Sequence, residues 1–279
     1  GAAQGAVRMG RLGLVGFILI WLGSLTGGLT GAVIVGGMGR LLGQYRLTTA
    51  VLVFGFVWVL WVIIPIIAAS IDDSLDPRNF ELFPLDGRRL AVGLLVAGLV
   101  GPGGIITALT LVGGAVGGFA GAASAVPIAI TALVATLLCA ATARFLTTLL
   151  SDLLRSRRAQ EVMAVVLGVV TTGIAFGSSG MLSRSLIVTD ELVELTKVLS
   201  WTPPGALGWA VVSFSEGKWL FGCGALVYGM GWVWLAIRGH GWALHRLMTR
   251  SESGRSARSI SSMGLFPRWM WVRDRRSVR

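Results

Sequence analysis

The chain has 279 residues, 54% of them hydrophobic and only 13% charged, with a mean hydropathy of +0.78 and a formal charge of +11. Soluble domains carry about 25% charged residues. A soluble core cannot hide this much apolar surface, so a soluble enzyme or binding module is excluded.

Charge is also segregated along the chain. Residues 12–39, 47–71, 90–143, 162–183 and 219–237 contain no Asp, Glu, Lys or Arg. Each run meets or exceeds the roughly 18–20 residues that a helix needs to cross hydrocarbon. Arg8 and Arg11 precede the first run as they would in a secretory signal, but the run is too long for one and has no clear cleavage site. The run 90–143 is too long for one crossing and holds Gly113, Gly114, Gly117, Gly118, Gly121 and Pro127, so it reads as two spans joined by a tight small-residue turn. Six spans result, over 12–37, 47–71, 90–112, 125–148, 162–182 and 218–237. The fold class is all-α, a polytopic membrane helical bundle.

Six spans put both termini on one side. On that assignment the termini and the loops 72–89 and 149–161 carry nineteen of the 24 basic residues, Arg144 included, and the opposite side holds Arg40, Arg46, Arg184, Lys197 and Lys218. The excess of basic residues marks the cytoplasmic side, so both termini are expected in the cytoplasm and the loops 38–46, 113–124 and 183–217 outside. The basic tail carries Trp269 and Trp271 but no nucleic-acid-binding motif, and anionic lipid accounts for its charge. No nucleic acid is expected as a partner; membrane lipid is.

Chemistry-bearing motifs are sparse. The spans read as free of intramembrane ionisable groups, which would mark proton relays or ion coupling. The sequence holds no HExxH, GxSxG or GxxxxGK[ST]. His240 and His245 have the wrong spacing for two metal ligands on one helical face and read as solvated or interfacial. No metal site and no catalytic residue emerges. Cys139 and Cys223 lie at different depths, roughly 15 Å apart along the helices, beyond disulfide reach, and both read as buried small hydrophobes. Gly23, Gly27 and Gly31 form overlapping GxxxG patterns on one face of the first span, which suits close helix packing.

Three loops are more informative. In IDDSLDPRNFELFPLDGRRL, Asp76 can cap a short helix with Pro77 at its first position, Leu75 and Phe80 have the spacing of a hydrophobic staple, and Pro84 ends it. Phe80 and Phe83 then share one side of a two-turn stub, either as a docking knob or as anchors in the headgroups. The segment 151–161 carries Arg155, Arg157, Arg158 and Glu161 on a polar helical turn. Outside, the apolar stretch 198–214 is too short and too broken to span. With Trp201, Pro203, Pro204, Gly205 and Trp209 it reads as a re-entrant or interfacial helix pair bent at the prolines.

LDPRNFELFPLDGRRL at 75–90, RSRRAQE at 155–161, WTPPGALGWA with EGKW at 201–219, and FPRWMWVRDRRSVR at 266–279 together resemble the permeases of type-2 ATP-binding-cassette exporters, in particular the fused twelve-span actinobacterial type. The resemblance implies an exporter subunit with no nucleotide site, driven by a cytoplasmic P-loop ATPase that binds ATP and Mg. Leu75, Asp76, Pro77, Arg78, Phe80, Phe83 and Pro84 would form the ATPase-coupling loop. Arg155, Arg157, Arg158 and Glu161 would give a second cytoplasmic contact, and Trp201, Pro203, Pro204, Gly205 and Trp209 the external gate. Residues 1–237 would be the six-span permease domain and 238–279 a basic cytoplasmic tail or linker. With no initiator Met and a linker-like tail, the chain is expected to be the first half of a longer permease, its partner a second half, fused or as a dimer mate. The cargo would be amphipathic or apolar. Two other classes stay open: a membrane enzyme acting on lipid or prenyl phosphates, for which Asp72, Asp73, Asp76 and Arg78 give a weak acidic motif, and a non-catalytic assembly or immunity subunit.

Overall fold

The computed structural model describes residues 2–71, 87–154 and 190–263, with side chains over 14–64, 92–149, 192–244 and at Arg246. Among the described residues it is all-helical. The helices are α1 (Ala2–Leu41), α2 (Arg46–Ile71), α3 (Gly87–Val100), α4 (Pro102–Phe119), α5 (Ala125–Leu154), α6 (Asp190–Leu199), α7 (Pro203–Ser215) and α8 (Trp219–Met263), with a single 3-10 turn, Gly43–Tyr45, between α1 and α2. Five of them, α1, α2, α4, α5 and α8, are long and apolar enough to cross a bilayer. Leu14, Phe17, Ile18 and Val33 of α1 are all more than half exposed, a surface that only lipid covers without penalty. The protein is a multi-pass membrane protein built as a polytopic helical bundle. The span expected over 162–182 lies outside the described residues.

The third crossing differs from expectation. Its helix is interrupted at Gly101, with Pro102 opening α4, and α4 continues through Gly113, Gly114, Gly117 and Gly118 as far as Phe119. The expected turn over 113–124 shrinks to the five residues after α4, where Ala120 turns extended and Ser124 bonds the Gly121 amide at 2.9 Å. The glycines are a contact surface rather than a turn. A Cβ at Gly113 would meet Ala32 at 2.8 Å, one at Gly114 would meet Val35 at 2.6 Å, and one at Gly118 would sit 2.9 Å from the Gly36 carbonyl oxygen. Lipid supplies no hydrophobic drive for helix pairing, so such close backbone approach carries the α1–α4 seam.

That seam uses a different face of α1 from the one the first GxxxG pattern suggests. Gly28, Gly31, Gly36 and Gly39 abut Leu109, Thr110, Gly118 and Phe119, whereas a Cβ at Gly23 or Gly27 would meet nothing within 4 Å. Only Gly31 of the expected trio packs within the described chain.

Buried Ala50, Phe54, Leu111, Ala115, Ile128, Ala132, Leu138, Leu207, Val211 and Phe214 form the main core, shared by α2, α4, α5 and α7. Two indole N–H groups tie α2 to its neighbours, Trp58 Nε1 to Thr142 Oγ1 at 3.0 Å and Trp61 Nε1 to Thr107 Oγ1 at 2.7 Å. In an interior without water each donor needs such an acceptor. Cys139 is buried, as expected, but Cys223 is exposed, because it lies on the outward face of α8 between Gly222 and Gly224.

Candidate functional site

One end of the bundle gathers the α1–α2 corner, the α4–α5 turn and the α7–α8 junction. Arg40 Nε donates to the Gly117 carbonyl at 2.7 Å, and Arg46 Nη2 donates to the Phe119 carbonyl at 2.9 Å with its guanidinium over the Phe119 ring. Both cations thus cap the last turn of α4, whose carbonyls lack helical donors and carry the negative end of the helix dipole. The loops 38–46 and 113–124, which charge counting placed outside, therefore share one end of the molecule.

At the same end, α7 sits within the bundle. Every residue from Pro204 to Phe214 is buried except Trp209. At roughly 20 Å long, α7 cannot cross a bilayer. Thr202 caps it: its side chain accepts from the Gly205 amide at 3.3 Å, and Pro203 and Pro204 occupy the first turn, where no helical N–H is required. A Cβ at Gly205 would collide with the Leu199 carbonyl, so this residue keeps α6 and α7 tightly hinged. At the far end, Gly217 takes a left-handed φ of 75°, while the Lys218 amide reaches the Ser213 carbonyl at 2.9 Å and the Gly217 amide reaches Phe214 at 3.2 Å. This is a Schellman ending, which turns the chain straight into α8.

The contacts of α7 set its depth. Phe214 lies against Gly222, Leu207 fills the space left by Gly229, and Gly208 rides on the backbone of Ala50 and Val51. Tyr228 of α8, roughly 14 Å along the helix from Trp219, donates its hydroxyl to the Trp201 carbonyl at 3.0 Å. The α6–α7 bend is therefore the innermost point of a short helix pair that leaves the bundle again at Ser215. Of the five expected gate residues, Pro203, Pro204 and Gly205 form this bend. Trp209 is partly exposed and packs on Phe221, with ring centroids 6.3 Å apart. Trp201 is 80% exposed and points away from the helices.

The other end holds a cluster that sequence reasoning missed. His240 is 3% exposed, not solvated, and its Nδ1 lies 3.1 Å from Thr148 Oγ1. The Thr148 hydroxyl donates to the Arg144 carbonyl at 2.7 Å. The Arg144 guanidinium rests against Gly98, whose added Cβ would stand 3.3 Å from Nε and Nη2. Arg144 and His240 lie inside the membrane-crossing stretches of α5 and α8, so those spans do carry ionisable side chains. Counting charge-free runs hid Arg144 at the edge of one, and formal charge ignored His240. On the exposed face of α8, Arg238 stacks over Trp234 and Arg246 over Trp242, 4.6 and 5.4 Å from the ring centroids, either side of His240 along the helix.

The expected coupling loop, Leu75, Asp76, Pro77, Arg78, Phe80, Phe83 and Pro84, lies outside the described residues, as do Arg155, Arg157, Arg158 and Glu161. Among the described residues no group of His, Cys, Asp and Glu is arranged to hold a metal. The chain matches no family model, no curated protein and no solved structure.

Proposed function

We propose that this membrane protein is a permease subunit of an ATP-driven exporter, moving an amphipathic or apolar substrate outward with energy from a separate cytoplasmic P-loop ATPase that binds ATP and Mg. The observation that carries the reading is the short helix pair α6–α7 seated in one end of the bundle. A buried helix with no room to span serves poorly as a structural strut, yet it suits a plug. Held by α2, α5 and α8, α7 closes the outward end, and a substrate path there opens only when α7 shifts. The tight bend at Thr202, Pro203, Pro204 and Gly205 and the left-handed turn at Gly217 bound α7 at its two ends, so it would move as one short rigid unit. The segment 75–85, where the sequence predicts a capped stub carrying Phe80 and Phe83, would be the point where ATPase motion enters, and a second permease half would complete the path.

The test is affinity purification of the full chain from its native membrane in mild detergent. The reading expects a stoichiometric P-loop ATPase to co-purify and the isolated chain to bind no ATP. Stoichiometric ATP binding by the chain alone would sink it. Turnover of a lipid or prenyl phosphate by the pure chain would favour the membrane-enzyme reading instead.

A further inference from the structure

On α8, Trp234, Arg238, Trp242 and Arg246 recur every four residues, so they form one stripe that winds slowly around the helix. All four are exposed, while Ala236, His240, Ala243 and Leu244 turn the opposite side into the bundle. Each guanidinium lies over the ring one turn before it, Arg238 at 4.6 Å from the Trp234 centroid and Arg246 at 5.4 Å from that of Trp242. Stacking covers one face of a guanidinium and leaves its N–H groups, which lie in the plane, pointing outward past the ring. The stack is the one interaction that Arg238 makes among the described residues. No Asp or Glu occurs from 217 to 251, so this stretch of the helix supplies no counter-charge.

Position narrows the ligand. Residues 219–237 of α8 carry no charge and at helical rise span roughly 28 Å, close to a hydrocarbon layer of about 30 Å. Lys218 and Arg238 bound that run, so Arg238 stands at the hydrocarbon edge, with Trp234 about one turn inside it and Trp242 about one turn beyond. Farther inside, Val227 is 65% exposed and an added Cβ at Gly231 would meet nothing within 4 Å, which continues the face as a smooth apolar track. Gly241, one turn beyond Arg238, likewise leaves open space beside the guanidinium. Bare indoles would anchor the helix in any bilayer. A guanidinium held flat on its ring adds a two-pronged donor edge of the kind that phosphate accepts.

We propose that this stripe seats one anionic phospholipid. Its phosphate pairs edge-on with Arg238 in the opening left by Gly241, its headgroup lies beside Trp242, and an acyl chain follows Trp234, Gly231 and Val227. Charge complementarity selects an anionic lipid: a choline headgroup would bring its own cation against Arg238 and Arg246, whereas a net negative headgroup neutralises them.

In the test, the full chain in zwitterionic detergent is titrated with dioleoyl phosphatidylglycerol or dioleoyl phosphatidylcholine, and bound lipid is counted by native mass spectrometry. One saturable phosphatidylglycerol per chain is expected, held about tenfold or more tighter than phosphatidylcholine. Arg238→Gln should weaken it about tenfold. Arg238→Lys keeps the charge but loses the planar fork, and should weaken it nearly as far. Trp234→Leu removes only the ring and should cost about threefold. Arg258→Gln, beyond the stripe, should bind as wild type does. Equal retention of the two lipids, or equal loss in Arg238→Gln and Arg258→Gln, would reveal a diffuse basic surface and overturn the seat. Wild-type affinity in Arg238→Lys would show that charge alone suffices, and would overturn it as well. Because a variant could misfold, unmodified chain is also labelled with a photoreactive phosphatidylglycerol. Labels concentrated at 231–242 support the seat, and labels concentrated elsewhere, such as the exposed face of α1, reject it.

Discussion

Replacing Gly208 by Ala tests how tightly α7 is wedged. The new Cβ would stand 2.9 Å from both the carbonyl carbon and oxygen of Ala50 and 3.0 Å from the Val51 Cα. Ordinary carbon contacts lie at about 3.5–4.0 Å, so α7 and α2 must part by about 0.5–1 Å. The obstructing atoms are backbone, so no side-chain rotation relieves them, and overpacking of this kind costs about 1–3 kcal/mol. Alanine's better helix propensity returns up to about 1 kcal/mol. Gly224→Ala on α8, where an added Cβ meets nothing within 4 Å, receives the propensity gain alone. The two variants should therefore differ by about 1–3 kcal/mol, roughly 5- to 150-fold in the unfolding equilibrium. Titration from mild detergent into dodecyl sulfate, followed by tryptophan fluorescence, measures the difference. A cysteine at buried Ala210 should also become reactive to maleimide in the Gly208→Ala background. If Gly208→Ala is as stable as Gly224→Ala and Ala210→Cys stays protected, α7 is not wedged against α2 and the plug argument falls.

Three further outcomes are expected. In intact cells, single cysteines at Glu191 should react with an impermeant maleimide and those at Asp73 should not; the reverse pattern would invert the orientation. The double variant Phe80→Ala with Phe83→Ala should still insert but lose its ATPase on purification, a loss of about 2 kcal/mol or more in docking energy, and unchanged association would show that the aromatics only anchor in headgroups. Arg46→Gln removes the guanidinium from the Phe119 carbonyl and ring and should destabilise the chain by about 1–3 kcal/mol, visible as a lower detergent melting temperature, whereas Arg238→Gln, which loses only an exposed stacking contact, should shift it little.

The membrane class and most of the spans were legible because lipid forces long charge-free runs. The bend at the adjacent prolines 203 and 204 was legible too, but the helix pair expected within 198–214 has its first arm, α6, over Asp190–Leu199 instead. Where the sequence misled, the cause was glycine. In a membrane helix Gly113–Gly118 can end the helix or admit a neighbour, and only the presence of Ala32, Val35 and Gly36 opposite decides for packing. Beside the Gly23–Gly27–Gly31 register, Ser24, Gly28, Ala32 and Gly36 form a second small-residue register at the same spacing, and the partner selects the one through Gly28. Polar pairs such as Thr148 with His240 are separated by 92 positions, so no local pattern announces them. Nothing in the spacing of residues near Arg144 signals that Gly98 will stand beside it.

The interruption at Gly101 divides one crossing between two attachments. Pro102 has no N–H, so the Gly98 carbonyl receives no helical bond across the joint. Above the joint, α4 is fixed to α1 by glycine-to-backbone contacts; below it, Leu95 of α3 packs with Ala140, Ala141 and Ala236 of α5 and α8. The two halves of this crossing are thus fastened to different neighbours, so a displacement of α3 acts first on α5 and α8 below the joint and reaches the α1–α4 pair only through the shared core. On the permease proposal, spin labels at Val92 and Val33 should change separation when the partner ATPase is loaded with ATP, by more than a pair at Val33 and Ile106.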